Sequence, residues 1–210
     1  MTILYRRGSS LPNQLQRGLS GHAGDGEEGE EGGEGALREG GENASYSREF
    51  AFSKSTGRPA VLNTKPNDSY TFEGASLLVD GYHSRPVFTS GAWLGYLDEP
   101  LDVTIDMGGD QSYRSVELET LAEKGDWIFP PSSVTVWVSD NGTDFTEVAS
   151  VTVPEAKAGD ADGIGRYWMQ FPETSARYLK VVAQNAAAIP AWHPGAGSKG
   201  FLFVDEVVVE

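Results

Sequence analysis

The feature that most constrains this chain is a series of short β-branched and aromatic segments separated by turn residues, with no sustained helical period. Leu101–Asp106 (LDVTID), Tyr113–Thr120 (YRSVELET), Ser133–Ser139 (SVTVWVS), Phe145–Val151 (FTEVASV), Tyr167–Phe171 (YWMQF), Arg177–Ala183 (RYLKVVA) and Phe201–Val209 (FLFVDEVVV) all have strand length and strand composition. Val134, Val136 and Val138 share one face by the two-residue period, as do Leu179 and Val181. Pro130-Pro131, Asp162-Gly163 and Pro194-Gly195-Ala196-Gly197 mark loops between them. Asn141-Gly142 predicts a hairpin with a type I′ turn, because both residues tolerate positive φ. Seven or eight such strands within residues 44–210 predict an antiparallel sandwich or barrel. In that architecture the strands make the core and the end loops carry binding.

Residues 24–42 hold eight Gly and eight acidic residues among nineteen. They cannot bury enough surface to offset a backbone entropy of roughly 1–2 kcal/mol per residue. Residues 1–43 are therefore expected to be a disordered acidic tail, with the globular domain at 44–210. The tail contains no apolar segment of signal-peptide length.

The chain has 210 residues, no Cys and a formal charge of −15. The missing thiols exclude disulfide staples, zinc–thiolate sites and a cysteine nucleophile. The charge argues against nucleic acid and anionic membrane as partners, and no apolar run approaches the roughly 18–20 residues of a membrane span. There is no Gly-x-Ser-x-Gly elbow, P-loop, His-Glu-x-x-His or dinucleotide fingerprint. Nothing places two carboxylates in a cleft, so the chain is expected not to be an enzyme.

Three constellations remain. In Leu77-Leu78-Val79-Asp80-Gly81-Tyr82-His83-Ser84, Asp80-Gly81 reads either as a plain turn or as a carboxylate offered to a hard cation, with Ser84 and backbone carbonyls nearby. In the last strand, strict alternation puts Glu206 with Leu202, Val204 and Val208, and Asp205 with Phe203 and Val207. One of these two carboxylates must then point to the more buried face, where it has to pair, protonate or bind a metal unless that side meets solvent. Finally, Trp127 (beside Lys124 and Asp126) and Trp192 (beside His193) lie in loops rather than strands. Their indoles suit the C–H face of a pyranose, with the polar neighbours bonding its hydroxyls, or they cap the sandwich ends. Trp93 and Trp168 look structural.

The succession Leu77–Gly81 (LLVDG), Trp93-Leu94-Gly95-Tyr96, Val103–Gly108 (VTIDMG), Val136–Phe145 (VWVSDNGTDF), Ala176–Val182 (ARYLKVV) and Phe203–Val209 (FVDEVVV) resembles the discoidin, or coagulation factor 5/8 type C, superfamily and its carbohydrate-binding module family 32 branch. Trp127-Ile128-Phe129-Pro130-Pro131 and Ala191–Val209 are similar to the module trailing some bacterial family 20 β-N-acetylhexosaminidases. The resemblance implies an all-β fold, an eight-stranded antiparallel β-sandwich of discoidin jelly-roll type. It also implies a structural Ca²⁺ held by Asp80 and Glu206, with Ser84 near the position of a hydroxyl ligand. Sugars would bind at one end of the sandwich, where Lys124, Asp126, Trp127, Trp192 and His193 lie in the corresponding loops.

The expectation is a non-catalytic module that binds glycans, of galactose or N-acetylhexosamine type, as a detached or truncated accessory of a bacterial glycosidase. Such modules act outside the cell, on its surface or in the periplasm. A structural or protein-docking domain without sugar binding is the alternative; binding of lipid head groups is a third reading, opposed by the acidic charge.

Overall fold

The computed structural model describes residues 6–7, 50 and 52–210. The tail expected to be disordered lies outside the described residues, apart from Arg6–Arg7. Eight strands occur among the described residues: β1 (Arg6–Arg7), β2 (Ala60–Leu62), β3 (Leu94–Tyr96), β4 (Leu101–Ala122), β5 (Ser133–Ser139), β6 (Thr146–Thr152), β7 (Gly163–Gln184) and β8 (Leu202–Val209). The strands pair antiparallel in the order β3-β8-β4-β7-β5-β6, with β1 added to β7 and β2 to β4. The helical turns among these residues are short 3-10 segments.

Two corrections to the expected strands explain how one hydrogen-bonded path makes two layers. Leu101–Asp106 and Tyr113–Thr120 are not separate strands but parts of the 22-residue β4, and Tyr167–Phe171 and Arg177–Ala183 are parts of the equally long β7. Between Asp106 and Gln111 the β4–β7 ladder breaks register. Gly108 takes φ +83 there, a left-handed conformation that favours glycine, and its amide donates to Asp106 Oδ1 at 2.9 Å. The paired ribbon crosses from one layer to the other through this irregularity. The first half of β4 joins β2 and the second half of β7, followed by β5 and β6; the second half of β4 joins β8, β3 and the first half of β7.

The inner faces follow the two-residue alternation. Val103, Ile105, Val134, Val136, Leu179 and Val181 from one layer meet Val116, Leu118, Met169, Leu202 and Val204 from the other, all buried in one cluster. Each such side chain contributes roughly 1.5–3 kcal/mol on leaving water. A second cluster of Trp93, Leu121, Ile128 and Phe203, joined by Tyr70, Phe88 and Phe201, forms around the long β2–β3 connection. Gly95 is required there: a Cβ would lie 2.9 Å from both the Phe203 ring and Tyr70 Cβ. Trp93, read as structural, is fully buried and donates its indole N–H to Arg85 O at 3.0 Å.

The β5–β6 hairpin differs from its expectation. The last ladder pair is Val138↔Thr146, so the loop is longer than two residues, and only Gly142 of the Asn-Gly pair has positive φ (+75). A type I′ turn needs both. Side chains close this loop instead: Asn141 Oδ1 accepts the amides of Thr143 and Asp144, and Ser139 Oγ accepts those of Asn141 and Gly142.

Candidate functional site

At one end of the sandwich the β4–β5, β6–β7 and β7–β8 connections meet. Phe129 donates its amide to Phe201 O at 2.8 Å and Phe201 donates to Trp127 O at 2.8 Å, which ties the first connection to the last. Trp127 itself has φ +64, a left-handed backbone for a large residue, at the end of the 3-10 turn Lys124–Asp126. Such a conformation persists only where its surroundings hold it, and it is worth inspecting for function.

The five loop residues singled out for sugar contact fall into two groups. Trp127 and Trp192 remain 42% and 39% exposed, and Asp126 is exposed as well. His193 and Lys124 are buried. The rings of Phe129, Trp192 and Trp127 stand edge-on or steeply tilted to His193 at 5.5, 5.6 and 6.1 Å, and His193 Nδ1 accepts the Gly195 amide at 3.0 Å. His193 is therefore the hub that sets the angle between the two indoles. Gly195 lets Trp127 settle on the backbone, since a Cβ there would be 2.9 Å from the indole ring. Trp192 donates its indole N–H to Ala156 O at 2.9 Å, which links it to the β6–β7 loop. Lys124 is engaged with Asp162, which accepts both its ammonium and, at 3.1 Å, its amide. Phe129 and Asp162 were not singled out in the sequence; each is defined by its contact to a distant loop, which no local pattern reveals.

Away from that rim, a carboxylate pocket surrounds the 80–84 loop. Strict alternation in β8 fails: Leu118 faces Val207 but Thr120 faces Val204, so β8 carries one extra residue at Asp205-Glu206. Both carboxylates are consequently buried, not one. Asp205 Oδ2 accepts the Ser84 amide at 2.7 Å, and Glu206 Oε2 accepts the Gly81 amide at 3.2 Å. Asp80 Oδ1 takes the Tyr82 amide at 2.7 Å. Burial pushes Glu206 up to about 9, with the charges of Asp80 and Asp205 adding to it; burial also pushes Asp205 up to about 8, helped by Glu119 and opposed by the Ser84 amide. Asp80 is raised by burial as well. Alongside, the buried Glu119 Oε2 accepts Arg166 Nε at 2.7 Å and lies 3.0 Å from His83 Nδ1, and this hydrogen bond raises His83.

A family model for the F5/8 type C domain matches residues 63–199. The chain belongs to the F5/8 type C domain family. Among curated proteins no sequence matches it. Solved structures similar to this F5/8 type C domain include chitosan-binding module 1 of a chitosanase/glucanase from Paenibacillus sp. IK-5, with 17% identity, 76% of this chain and 98% of that one covered, and a TM-score of 0.48. A family 32 module of a Clostridium perfringens family 89 protein, in complex with GalNAc-β-1,3-galactose, shows 17% identity, coverage of 72% and 93%, and a TM-score of 0.48. A fucose-binding module of Streptococcus pneumoniae shows 22% identity, coverage of 76% and 94%, and a TM-score of 0.47. None of the sugars named for those proteins is thereby assigned to this domain.

Ca²⁺ can be tested against the pocket's own chemistry. Glu206 Oε1 is buried with no hydrogen-bond partner, and the Asp80 carboxylate is close enough to raise the Glu206 pKa by its charge. A buried carboxylate oxygen without a partner, beside a second carboxylate, fits a hard cation. Among the described residues no group of three or more His, Asp or Glu is arranged to hold a metal, so such an ion would complete its shell with backbone carbonyls, which Ca²⁺ accepts readily. Ser84 is buried nearby, but its amide serves Asp205 and its hydroxyl donates to Ala92 O at 3.2 Å.

Proposed function

We propose that this F5/8 type C domain is a non-catalytic carbohydrate-binding module that grips glycans at the sandwich end bearing Trp127 and Trp192. The observation that carries the reading is the pair of half-exposed indoles fixed through the buried His193, one of them on a left-handed backbone. An apolar ring presented rigidly to water suits the C–H face of a pyranose, and its low conformational freedom limits the entropy lost on binding. The exposed Asp126 supplies an acceptor for sugar hydroxyls. Lys124 and His193 act indirectly, by holding Asp162 and the indoles.

Asp80 and Glu206 hold a structural Ca²⁺ in this proposal. Bound there, the ion would supply positive charge to the carboxylate pair, adding to the Gly81 and Ser84 amides that tie the 80–84 loop to β8. The module serves an extracellular or cell-surface glycosidase, of β-N-acetylhexosaminidase type by the resemblance of residues 127–131 and 191–209.

A glycan array probed with the full chain tests the reading. Binding to one family of glycans is expected, lost in Trp127→Ala and Trp192→Ala and retained in Phe72→Ala, which alters an exposed aromatic in another loop. A blank array, with capture of a glycosidase instead, would replace the reading with a protein-docking role.

A further inference from the structure

The first half of β7, residues 163–170, is a sheet edge. The second half of β4 pairs along one side of it. Along the other side, among the described residues, only β1 pairs, with Arg6 opposite Arg166 and Arg7 opposite Gly165. β1 comes to this edge from far off in sequence: about forty residues separate it from Phe50, and they include the Gly/Glu run of residues 24–42. An uncovered strand edge presents unpaired amides and carbonyls, which a further extended segment can satisfy. Backbone pairing is nearly blind to sequence, so the charges flanking the edge decide which segment fits.

Acids flank this edge on both faces of the sheet. Residues paired across two strands share a face, which puts Arg6 on the face of Arg166. There Arg166 Nε lies 2.7 Å from Glu119 Oε2 and 3.8 Å from Glu117 Oε1, so one guanidinium is shared between two carboxylates. Glu117 stays 26% exposed, and Glu119, whose other neighbour is His83 Nδ1 at 3.0 Å, keeps a buried Oε1 with no hydrogen-bond partner. Like charges directly opposite each other repel; the surplus of carboxylate here is what lets an arginine stand opposite Arg166. Arg7 falls on the other face, opposite Gly165. A groove of about 340 Å³ lies there, walled by Thr120, Asp160, Asp162 and Tyr167 among others. Lys124 balances Asp162. The sequence just ahead of β1, Thr2-Ile3-Leu4-Tyr5, has strand composition.

We propose that the start of β7 is a strand-addition site for a dibasic extended segment, and that its occupant is this chain's own Arg6–Arg7. The strand ties the sequence ahead of the acidic run back to the sandwich. A tether of about forty residues has a root-mean-square reach of roughly 35 Å and an effective concentration in the millimolar range. The tethered strand therefore prevails over a second copy of the chain at micromolar concentration. Two residue pairs make a weak attachment, so the strand opens and closes while the sandwich stays folded. Acids on both faces select a basic segment against the acidic sequence that follows it.

Amide hydrogen exchange of the full chain, read residue by residue in ¹H–¹⁵N spectra, tests this. The edge amides within residues 164–167 should exchange at least about threefold more slowly in the unsubstituted chain than in either of two double variants. Arg6→Pro/Arg7→Pro removes both amide donors of the strand, and Arg6→Glu/Arg7→Glu reverses its charge. Arg6→Lys/Arg7→Lys should keep most of the protection, and salt at about 1 M should remove much of it. All variants should share the melting midpoint of the unsubstituted chain, since the core is untouched. Protection should be the same at about 20 and about 400 µM protein; protection that rises with concentration, together with a dimer in sedimentation, would overturn the tethered occupant in favour of a second copy. Protection lost in the proline variant but intact in the glutamate variant would overturn the selection by charge. Identical exchange in the unsubstituted chain and every variant would overturn the strand-addition site itself.

Discussion

The carboxylate pocket at the β8 bulge and the aromatic rim at the sandwich end are built on opposite terms. In the pocket, two acids are as inaccessible as the valines flanking them, and each has one oxygen matched to a backbone amide from the 80–84 loop while Glu206 Oε1 has no hydrogen-bond partner. At the rim, two of the largest side chains stay half in water while a buried histidine and a glycine fix their positions. A buried polar group left unmatched is expensive, whereas an exposed ring is tolerated wherever its support holds. The pocket should therefore govern stability and the rim ligand contact, with little exchange between them.

The largest expected effect breaks the pocket. Asp205→Ala leaves the Ser84 amide without its acceptor and opens a small void, with an expected loss of about 2–3 kcal/mol in chemical denaturation. A loss under about 0.5 kcal/mol would mean that water takes over the carboxylate's role. Cation binding comes next. Ca²⁺ at a hundredfold excess over its Kd should stabilise the folded state by about 2.7 kcal/mol, and Glu206→Gln should abolish that response while remaining folded in chelator. A response that survives Glu206→Gln places the ion elsewhere.

The pH dependence sharpens the same contrast. Asp205 and Glu206 have folded pKa values raised to about 8 and about 9 without a cation. The folded state then holds their protons more tightly than the unfolded chain, so the associated stability is present below about pH 4 and is lost as pH climbs through 8 to 9. In chelator the melting midpoint should fall from pH 5 to pH 9. Ca²⁺ needs the deprotonated carboxylates, so its stabilising shift should be larger at pH 8 than at pH 5; equal shifts at both would disconnect the ion from this pair. The smallest stability effect belongs to the rim. Trp192→Ala removes one hydrogen bond and a half-exposed ring, about 1 kcal/mol by denaturation, yet it should eliminate retention on glycan-containing gels.

The inner core was legible in the sequence because alternation in Ser133–Ser139 and Arg177–Ala183 survives folding intact. β2 and β3 were not, since three residues ending in Val-Leu or containing Gly95 carry too little pattern to register. The length of β4 and β7 was also hidden, because Gly108 and the polar residues around it look like a loop, yet β4 runs on through them across the break in the ladder. At the sites, the exposure of Trp127 and Trp192 followed from their Gly, Pro and charged neighbours. The joint burial of Asp205 and Glu206 did not, because a single extra residue in β8 resets the facing that strict alternation assigns. Lys124 and His193 read as solvent-facing polar groups, and only the distant Asp162 and Phe129 show why they are inside.

Indole N–H signals offer the most direct test of where ligand binds. The chain has five tryptophans, Trp93, Trp127, Trp137, Trp168 and Trp192, and a ¹H–¹⁵N spectrum resolves each side chain. On titration with a glycan selected from the array, the Trp127 and Trp192 indole signals should shift progressively while those of Trp93, Trp137 and Trp168 stay in place. Shifts confined to the latter three, or a spectrum that ignores every glycan bound on the array, would contradict the assignment of this end as the glycan-binding surface.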